Sequence, residues 1–152
     1  NLEIFYNNKK LIPHVLELSF GVDRNIWAFF DIFYKKEKLE KEERAIFRFP
    51  TTIAPFDAAV FPLVNKDGLN NEAEKIYEML KKDFKVFYDD SGSIGRRYRR
   101  QDEIGTKFCI TVDYDTLKDK TATIRDRDSM KQERVKISEL AGRLGKKPES
   151  IL

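Results

Sequence analysis

Glu17, Ser19 and Arg24 are the first residues whose types and spacing could do chemistry. They stand in the segment Glu17-Leu18-Ser19-Phe20-Gly21-Val22-Asp23-Arg24. If residues 11–20 run as a strand, Val15, Glu17 and Ser19 share one face and Leu16, Leu18 and Phe20 the other, because successive side chains alternate. Gly21 breaks that strand. A helix starting at Asp23 would offer free backbone N–H groups and the positive end of its dipole, and Arg24 adds a planar cation to its first turn. The set suits a small ammonium-bearing ligand beside an anion, such as an amino acid beside a phosphate. It reads equally as a polar strand edge followed by a helix with a surface arginine.

A second constellation runs from Tyr88 to Gly105. A loop, Asp89-Asp90-Ser91-Gly92-Ser93, feeds a helix that carries Arg96, Arg97, Arg99 and Arg100. A Gly/Ser loop before a helix resembles a phosphate cradle, but it lacks the Gly-Lys-Ser/Thr ending of a P-loop. Four arginines in five positions form the densest positive cluster of the chain, and the guanidinium fork suits phosphate. The other reading pairs them with Asp89, Asp90, Asp102 and Glu103 on a solvated helix. In a third segment, Thr121-Ala122-Thr123-Ile124-Arg125-Asp126-Arg127-Asp128-Ser129-Met130, Thr123, Arg125 and Arg127 fall on one strand face. Tyr88 and Tyr98 would add stacking surfaces for unpaired bases. Cross-strand pairing of Arg with Asp is the alternative there.

These residues need elements to position them. The 152 residues suit one domain, or one small domain and a piece of another. The apolar share of 41% allows a real core. Lys and Arg total 29 against 26 Asp and Glu, a net +3, so clustering rather than total charge must mark any nucleic-acid surface. One cysteine (Cys109) and one histidine (His14) exclude an internal disulfide and a zinc site of thiols and imidazoles. Cys109, in an apolar run, is expected in the core. No apolar stretch nears the ~20 residues that span a bilayer, and no secretory pattern opens the chain, so the expected compartment is the cytoplasm. Beginning at Asn1 without an initiator Met, the chain is expected to have a larger parent.

After the strand at 11–20, Val22, Ile26, Phe29, Phe30 and Phe33 recur at helical spacing. Trp27 and Tyr34 widen that stripe and predict burial against a large neighbour. The mixed charges of residues 35–44 predict a solvated helix end or linker, placed roughly at 35–52. An apolar run over 58–64 predicts a buried strand. A helix capped by Asn70 or Asn71 follows, with Ala73, Ile76, Tyr77 and Leu80 on its face. Residues 85–88 form a short strand, 96–104 a helix stopped by Gly105. Phe108, Ile110, Val112 and Tyr114 line the next strand. Two more strands lie near 121–127 and 132–137, and Ser138 caps a short last helix. The order β-α-β-α-β, then β-β-α, predicts an α/β fold. Its mixed sheet of about five strands has parallel crossovers first and hairpins last.

The segment from Pro13 to Arg24 resembles the third signature motif of class II glycyl-tRNA synthetases of the archaeal or eukaryotic type, a Glu-Pro-Ser-Phe-Gly pattern followed by an Arg. Leu18 stands where many members have Pro, a departure on the apolar face. Asp90-Ser91-Gly92-Ser93-Ile94-Gly95-Arg96-Arg97-Tyr98 and Arg125-Asp126-Arg127-Asp128-Ser129-Met130, with Ile53-Ala54-Pro55-Phe56-Asp57 and Phe61-Pro62-Leu63, resemble the anticodon-binding domain of the same family. The likeness covers about residues 13–140. It implies that residues 1–40 are a strand–helix piece of the class II catalytic domain, 41–52 a linker, 53–145 a class IIa anticodon-binding domain and 146–152 a tail.

By that resemblance Glu17 contacts the glycine ammonium, Ser19 fits the small amino acid and Arg24 binds ATP phosphates. Arg96, Arg97, Arg99, Arg100, Arg125 and Arg127 are the implied tRNA contacts. No catalytic or metal-ligating residue is assigned. The family's first two class II motifs, which supply the dimer interface and a further Arg, are not in the chain. The implied parent is a homodimeric glycine–tRNA ligase that activates glycine with ATP and Mg²⁺ and transfers it to tRNA(Gly). The chain alone is expected to be inactive and to need no cofactor. The alternatives are a stand-alone RNA-binding or accessory protein that uses the same fold, and a protein-interaction module.

Overall fold

The computed structural model describes residues 3–39 and 43–145. The expected tail at 146–152 and the start of the expected linker therefore lie outside the described residues. The chain divides into two units, residues 1–31 and 32–152.

In the first unit β1 (Ile4–Tyr6) and β2 (Lys9–Leu11) form an antiparallel hairpin. Its turn residues Asn7 and Asn8 sit at φ 48° and 57°, a conformation asparagine tolerates in such turns. The strand expected at 11–20 is not formed: residues 12–21 carry no regular element. No strand among the described residues pairs with this segment, and alternation without a partner gives no ladder. Helix α1 (Val22–Phe33) then starts where its periodicity predicts. The Asn25 backbone N–H and side-chain amide both donate to the Gly21 carbonyl, at 3.2 and 3.1 Å. The burial that its apolar stripe predicts is not reached. No residue of α1 is buried, and Val22 and Trp27 are 70% and 73% exposed.

The second unit opens with a correction. The described residues of 35–44 do not form a helix end: β3 (Tyr34–Lys38) and β4 (Glu43–Phe47) pair antiparallel. The inward face of the pair holds Arg44 and Ile46, both essentially fully buried. Phe47 stacks flat on Phe49 with centroids 4.9 Å apart, and Phe49 meets Phe33 edge-on.

The remaining elements are β5 (Ala58–Pro62), α2 (Leu69–Leu80), β6 (Val86–Tyr88), α3 (Ile94–Ile104), β7 (Phe108–Val112), α4 (Tyr114–Asp119), β8 (Thr121–Asp126), β9 (Gln132–Lys136), a 3₁₀ turn (Ile137–Glu139) and α5 (Leu140–Leu144). The sheet runs β6-β5-β7-β8-β9. β5 pairs in parallel with β6 and β7, while β7–β8 and β8–β9 are antiparallel. The five-stranded mixed sheet with flanking helices is the expected fold. All five residues of β5 are buried, as a strand covered on both faces requires.

Three details depart from the expectation. Ser138 does not cap the last helix: it lies within the 3₁₀ turn, and α5 follows Glu139 with no side-chain cap. The residue before α2 is Gly68, at φ 82°, and no side chain caps the helix; Asn70 instead reaches Asp90. Tyr114 does not extend β7 but begins α4. Asp113 accepts from the backbone N–H of Asp115 and Thr116, and the Thr116 hydroxyl accepts from the Asp113 N–H. That reciprocal capping box ends the strand and starts a helix.

The core has two parts. On one face Ala58, Val60, Ile110, Val112 and Ile124 meet α2 through Leu69, Ala73, Ile76 and Leu80, and α5 through Leu140. On the other, Ala59, Phe61 and Cys109 meet Ile94 and Tyr98 of α3.

Candidate nucleic-acid interface

The phase of α3 decides which arginines face out. Ile94, Arg97, Tyr98, Gln101 and Asp102 recur at three- and four-residue spacing and turn toward the sheet and the β3–β4 pair. Gly95, Arg96 and Glu103 lie on the outer face, with Arg99 and Arg100 at its margins.

Arg97 is 2% exposed and organises the loop before its own helix. It donates to the carbonyls of Asp90 at 2.7 Å, Gly92 at 2.8 Å and Ser91 at 3.4 Å, and to that of Pro62 at the end of β5. Arg100 donates to Asp89 Oδ2 at 2.6 and 3.0 Å and to the Ser91 carbonyl at 2.7 Å. Burial works to raise the Asp89 pKa, but the bonds from Arg100 and Ser91 outweigh it and hold it low. Two of the four clustered arginines thus build the loop at the carboxyl ends of β5 and β6.

Asp102, fully buried, is the second anchor. Its carboxylate takes two parallel bonds from Arg125, at 2.9 and 3.1 Å, and one from Arg44 at 3.2 Å, with Arg99 Nη1 at 3.8 Å. Burial opposes the charge of Arg125, yet the Asp102 bonds raise its pKa. The Arg125 guanidinium lies 5.0 Å over the Tyr98 ring. The Tyr98 hydroxyl meets Thr111 Oγ1 at 2.6 Å, and Phe61 stands edge-on against the ring. Tyr98 is therefore pinned and offers no free stacking face. Tyr88, packed edge-on against Tyr77, is also half-buried. Neither is the open platform that the sequence leads one to expect.

Arg127 lies past the end of β8 and is 3% exposed. It donates to the carbonyls of Phe49 at 2.9 Å and Gly105 at 2.8 Å, and to the Asp128 carboxylate. Lys107 bridges Asp126 and Asp128, each at 2.7 Å. Burial would raise the Asp128 pKa; the bonds and charges of Arg127 and Lys107 carry it down to about 2. A depressed carboxylate stabilises the fold above its unfolded value near 3.8, and that stability is lost as pH falls toward 2. Melting temperature should therefore drop between about pH 4 and pH 2. Asp128→Asn should have a lower melting temperature at neutral pH and a shallower fall in acid. A pH series with parallel curves for the two proteins would refute this linkage.

Between α3 and the end of β8 a crevice of about 410 Å³ opens outward, lined by Ser93, Gly95, Arg96, Tyr98, Arg99, Arg125 and Met130. Arg96 is exposed and has no carboxylate partner among the described residues. Of the six arginines singled out in the sequence, Arg96, Arg99 and Arg125 come together here, Arg100 stands at the loop, and Arg97 and Arg127 point inward. Asp102 is among the carboxylates that the sequence offers to the clustered arginines, but its pairing with Arg44 and Arg125 escapes a reading of the sequence, because it lies 58 residues from the one and 23 from the other. Glu17 and Ser19 are exposed on the irregular segment, and Arg24 is exposed in the first turn of α1. Among the described residues no group of His, Cys, Asp and Glu could hold a metal ion, and no helix is long and apolar enough to cross a membrane.

A family profile described as Anticodon binding domain matches residues 57–147. A glycine–tRNA ligase of Bacillus cereus is 49% identical over 140 residues, which cover 92% of this chain and 30% of the relative. One from Clostridium kluyveri is 53% identical over 134 residues, 88% of this chain and 28% of the relative. One from Rhodopirellula baltica is 49% identical over 142 residues, 90% of this chain and 26% of the relative. The chain thus spans under a third of the length of these relatives.

Proposed function

The chain belongs to the anticodon binding domain family, and from that premise we propose that it reads the anticodon arm of tRNA(Gly) as the tRNA-binding part of a glycine–tRNA ligase. The observation that carries the reading is the outward crevice between α3 and β8, where Arg96 has no carboxylate among the described residues and Arg99 and Arg125 flank it. Phosphate contacts position an RNA, and base contacts specify it. Arg96 and Arg99, on the rim, are suited to phosphate. Arg125, buried and held by Asp102 through both terminal nitrogens with its plane over Tyr98, braces the wall of the crevice. Arg97, Arg100 and Arg127 shape the loops that frame the crevice.

In this reading residues 1–40 belong to a class II catalytic domain, 41–52 link it to the tRNA-binding domain at 53–145, and the parent works as a homodimer in the cytoplasm. Glu17 would hold the glycine ammonium, Ser19 would fit its small size and Arg24 would bind ATP phosphates. ATP with Mg²⁺ would supply the activation chemistry at a site that these residues share with the rest of the parent. What supports this assignment is the motif at residues 13–24 and the names of the relatives.

The test is titration of tRNA(Gly) into the chain at several salt concentrations. Replacing Arg96 and Arg99 by Ala should weaken binding and lower the log–log salt slope by roughly 0.7 for each phosphate no longer neutralised. Melting temperature should change little for Arg96→Ala, which breaks no ion pair among the described residues. An unaltered slope in the double variant would remove these residues from the interface.

A further inference from the structure

Two residues of the α3–β8 crevice are of types that the fold itself does not ask for. Gly95 is the second residue of α3. Its φ is not left-handed, and a Cβ built on it would meet nothing within 4 Å. Glycine weakens a helix relative to alanine, and no neighbour among the described residues needs the space. Met130 sits at φ 56° in the β8–β9 connection, a region glycine takes freely and methionine avoids. It is held there because its N–H donates to the Asp126 carbonyl at 2.9 Å, while the Asp126 N–H donates to the Lys131 carbonyl at 3.0 Å. Asn7, Asn8 and Asp67 share that region but are types that tolerate it, and Lys120 merely ends α4. The Met130 side chain is 37% exposed. Local preferences broken at one place without a packing reason mark functional sites, and Gly95 and Met130 line the same cavity.

We propose that Gly95 and Met130 form the seat of one unpaired nucleobase of the bound RNA loop. The inference rests on the RNA-binding reading above. The base edge lies where a side chain at position 95 would stand, against the first turn of α3. The base face packs on the Met130 thioether, a polarizable group that contacts aromatic rings well. Arg96 and Arg99 neutralise the flanking phosphates. This occupant fits because the pinned Tyr98 presents no free face, so Met130 is the soft surface left exposed at the crevice.

The experiment compares the unaltered chain with Gly95→Ala, Met130→Gly and, as a control, Gly142→Ala. Gly142 is a glycine of α5 with open space at its Cβ, away from the crevice. The probe is the anticodon-arm hairpin of tRNA(Gly), intact and with single loop bases removed. Gly95→Ala and Met130→Gly should melt at or above the temperature of the unaltered chain. Each should bind the intact hairpin about five- to a hundred-fold more weakly, the range for unseating one stacked base. Gly142→Ala should bind normally. Removing the seated base should weaken binding to the unaltered chain and leave Met130→Gly no worse. The proposal is overturned if both variants bind like the unaltered chain, if weaker binding comes only with a lower melting temperature, or if base removal weakens all four proteins alike. Failure of the unaltered chain to bind the hairpin at all would instead remove the RNA-binding reading.

Discussion

Asp102→Ala should destabilise the chain by about 3–5 kcal/mol, the cost of removing one partner from a buried ion pair. The carboxylate is fully buried and receives Arg125 twice and Arg44 once. Without it Arg125, 5% exposed, keeps a charge that its surroundings cannot solvate. Arg44 suffers less, since Glu37 and the Arg127 carbonyl still accept from it. Melting temperature should fall on the order of 10 °C or more for a unit of this size. Urea unfolding at fixed m-value is the measurement. Asp102→Asn keeps one acceptor and should fall between the unaltered chain and Asp102→Ala. Adding Arg125→Met to Asp102→Ala should recover part of the stability, because the stranded charge goes with it. A loss below about 1 kcal/mol for Asp102→Ala would show that water reaches the cluster and that the network is not buried as described.

Gly105→Ala should be nearly as costly, for a steric reason. Gly105 ends α3 at φ 89°, where an L side chain costs roughly 1–2 kcal/mol. A Cβ there would also stand 2.6 Å from Phe49 Cδ2, 3.0 Å from the Phe47 carbonyl oxygen and 3.1 Å from Phe47 Cβ. Two of these belong to β4, whose inner face is tied to Asp102 through Arg44, so the β3–β4 pair cannot simply retreat. Overpacking of this kind adds about 1–3 kcal/mol. Gly92 is the comparison. It sits at φ 72°, but a Cβ there would meet only the flexible Arg96 Cδ at 4.0 Å. Gly92→Ala should therefore show the backbone cost alone. Equal losses for the two variants, by denaturant melts, would mean that the Phe47–Phe49 stack yields freely.

What the sequence discloses and what it hides follow from how local each cause is. The buried strand β5 is visible as an unbroken apolar run, and α2 as a helical stripe, because each periodicity lies within a short stretch of chain. The capping box that starts α4 is equally local, yet Tyr114 continues the alternation of Phe108, Ile110 and Val112 and masks it. The β3–β4 pair cannot be seen from residues 35–44, whose charges look solvated. Glu37 is a local partner of Arg44, but Arg44 goes inside because Asp102 and the Arg127 carbonyl wait there, 58 and 83 residues further on. The arginine cluster is legible as a density of charge. Its division into inward Arg97 and outward Arg96 needs the phase of α3, which Ile94, Tyr98 and Gln101 already carry at i, i+4 and i+7. The segment at 11–20 has the right alternation for a strand but no neighbour among the described residues to complete a ladder.

Cys109, the chain's single cysteine, lies on β7, the central strand between β5 and β8, and is 1% exposed. Burial, opposed only in part by the nearby Arg125, pushes its thiol up to about 12. At neutral pH it is therefore both hidden and almost wholly protonated, and a thiol reagent needs access and a thiolate. The sheet thus carries one chemical stopwatch at its centre. Its ticking rate under a labelling reagent is set by how often the central strand opens, so it reports the opening of the sheet's core. A label that reacted at once would mark a damaged molecule, and a sample could be graded for native protein by that signal alone.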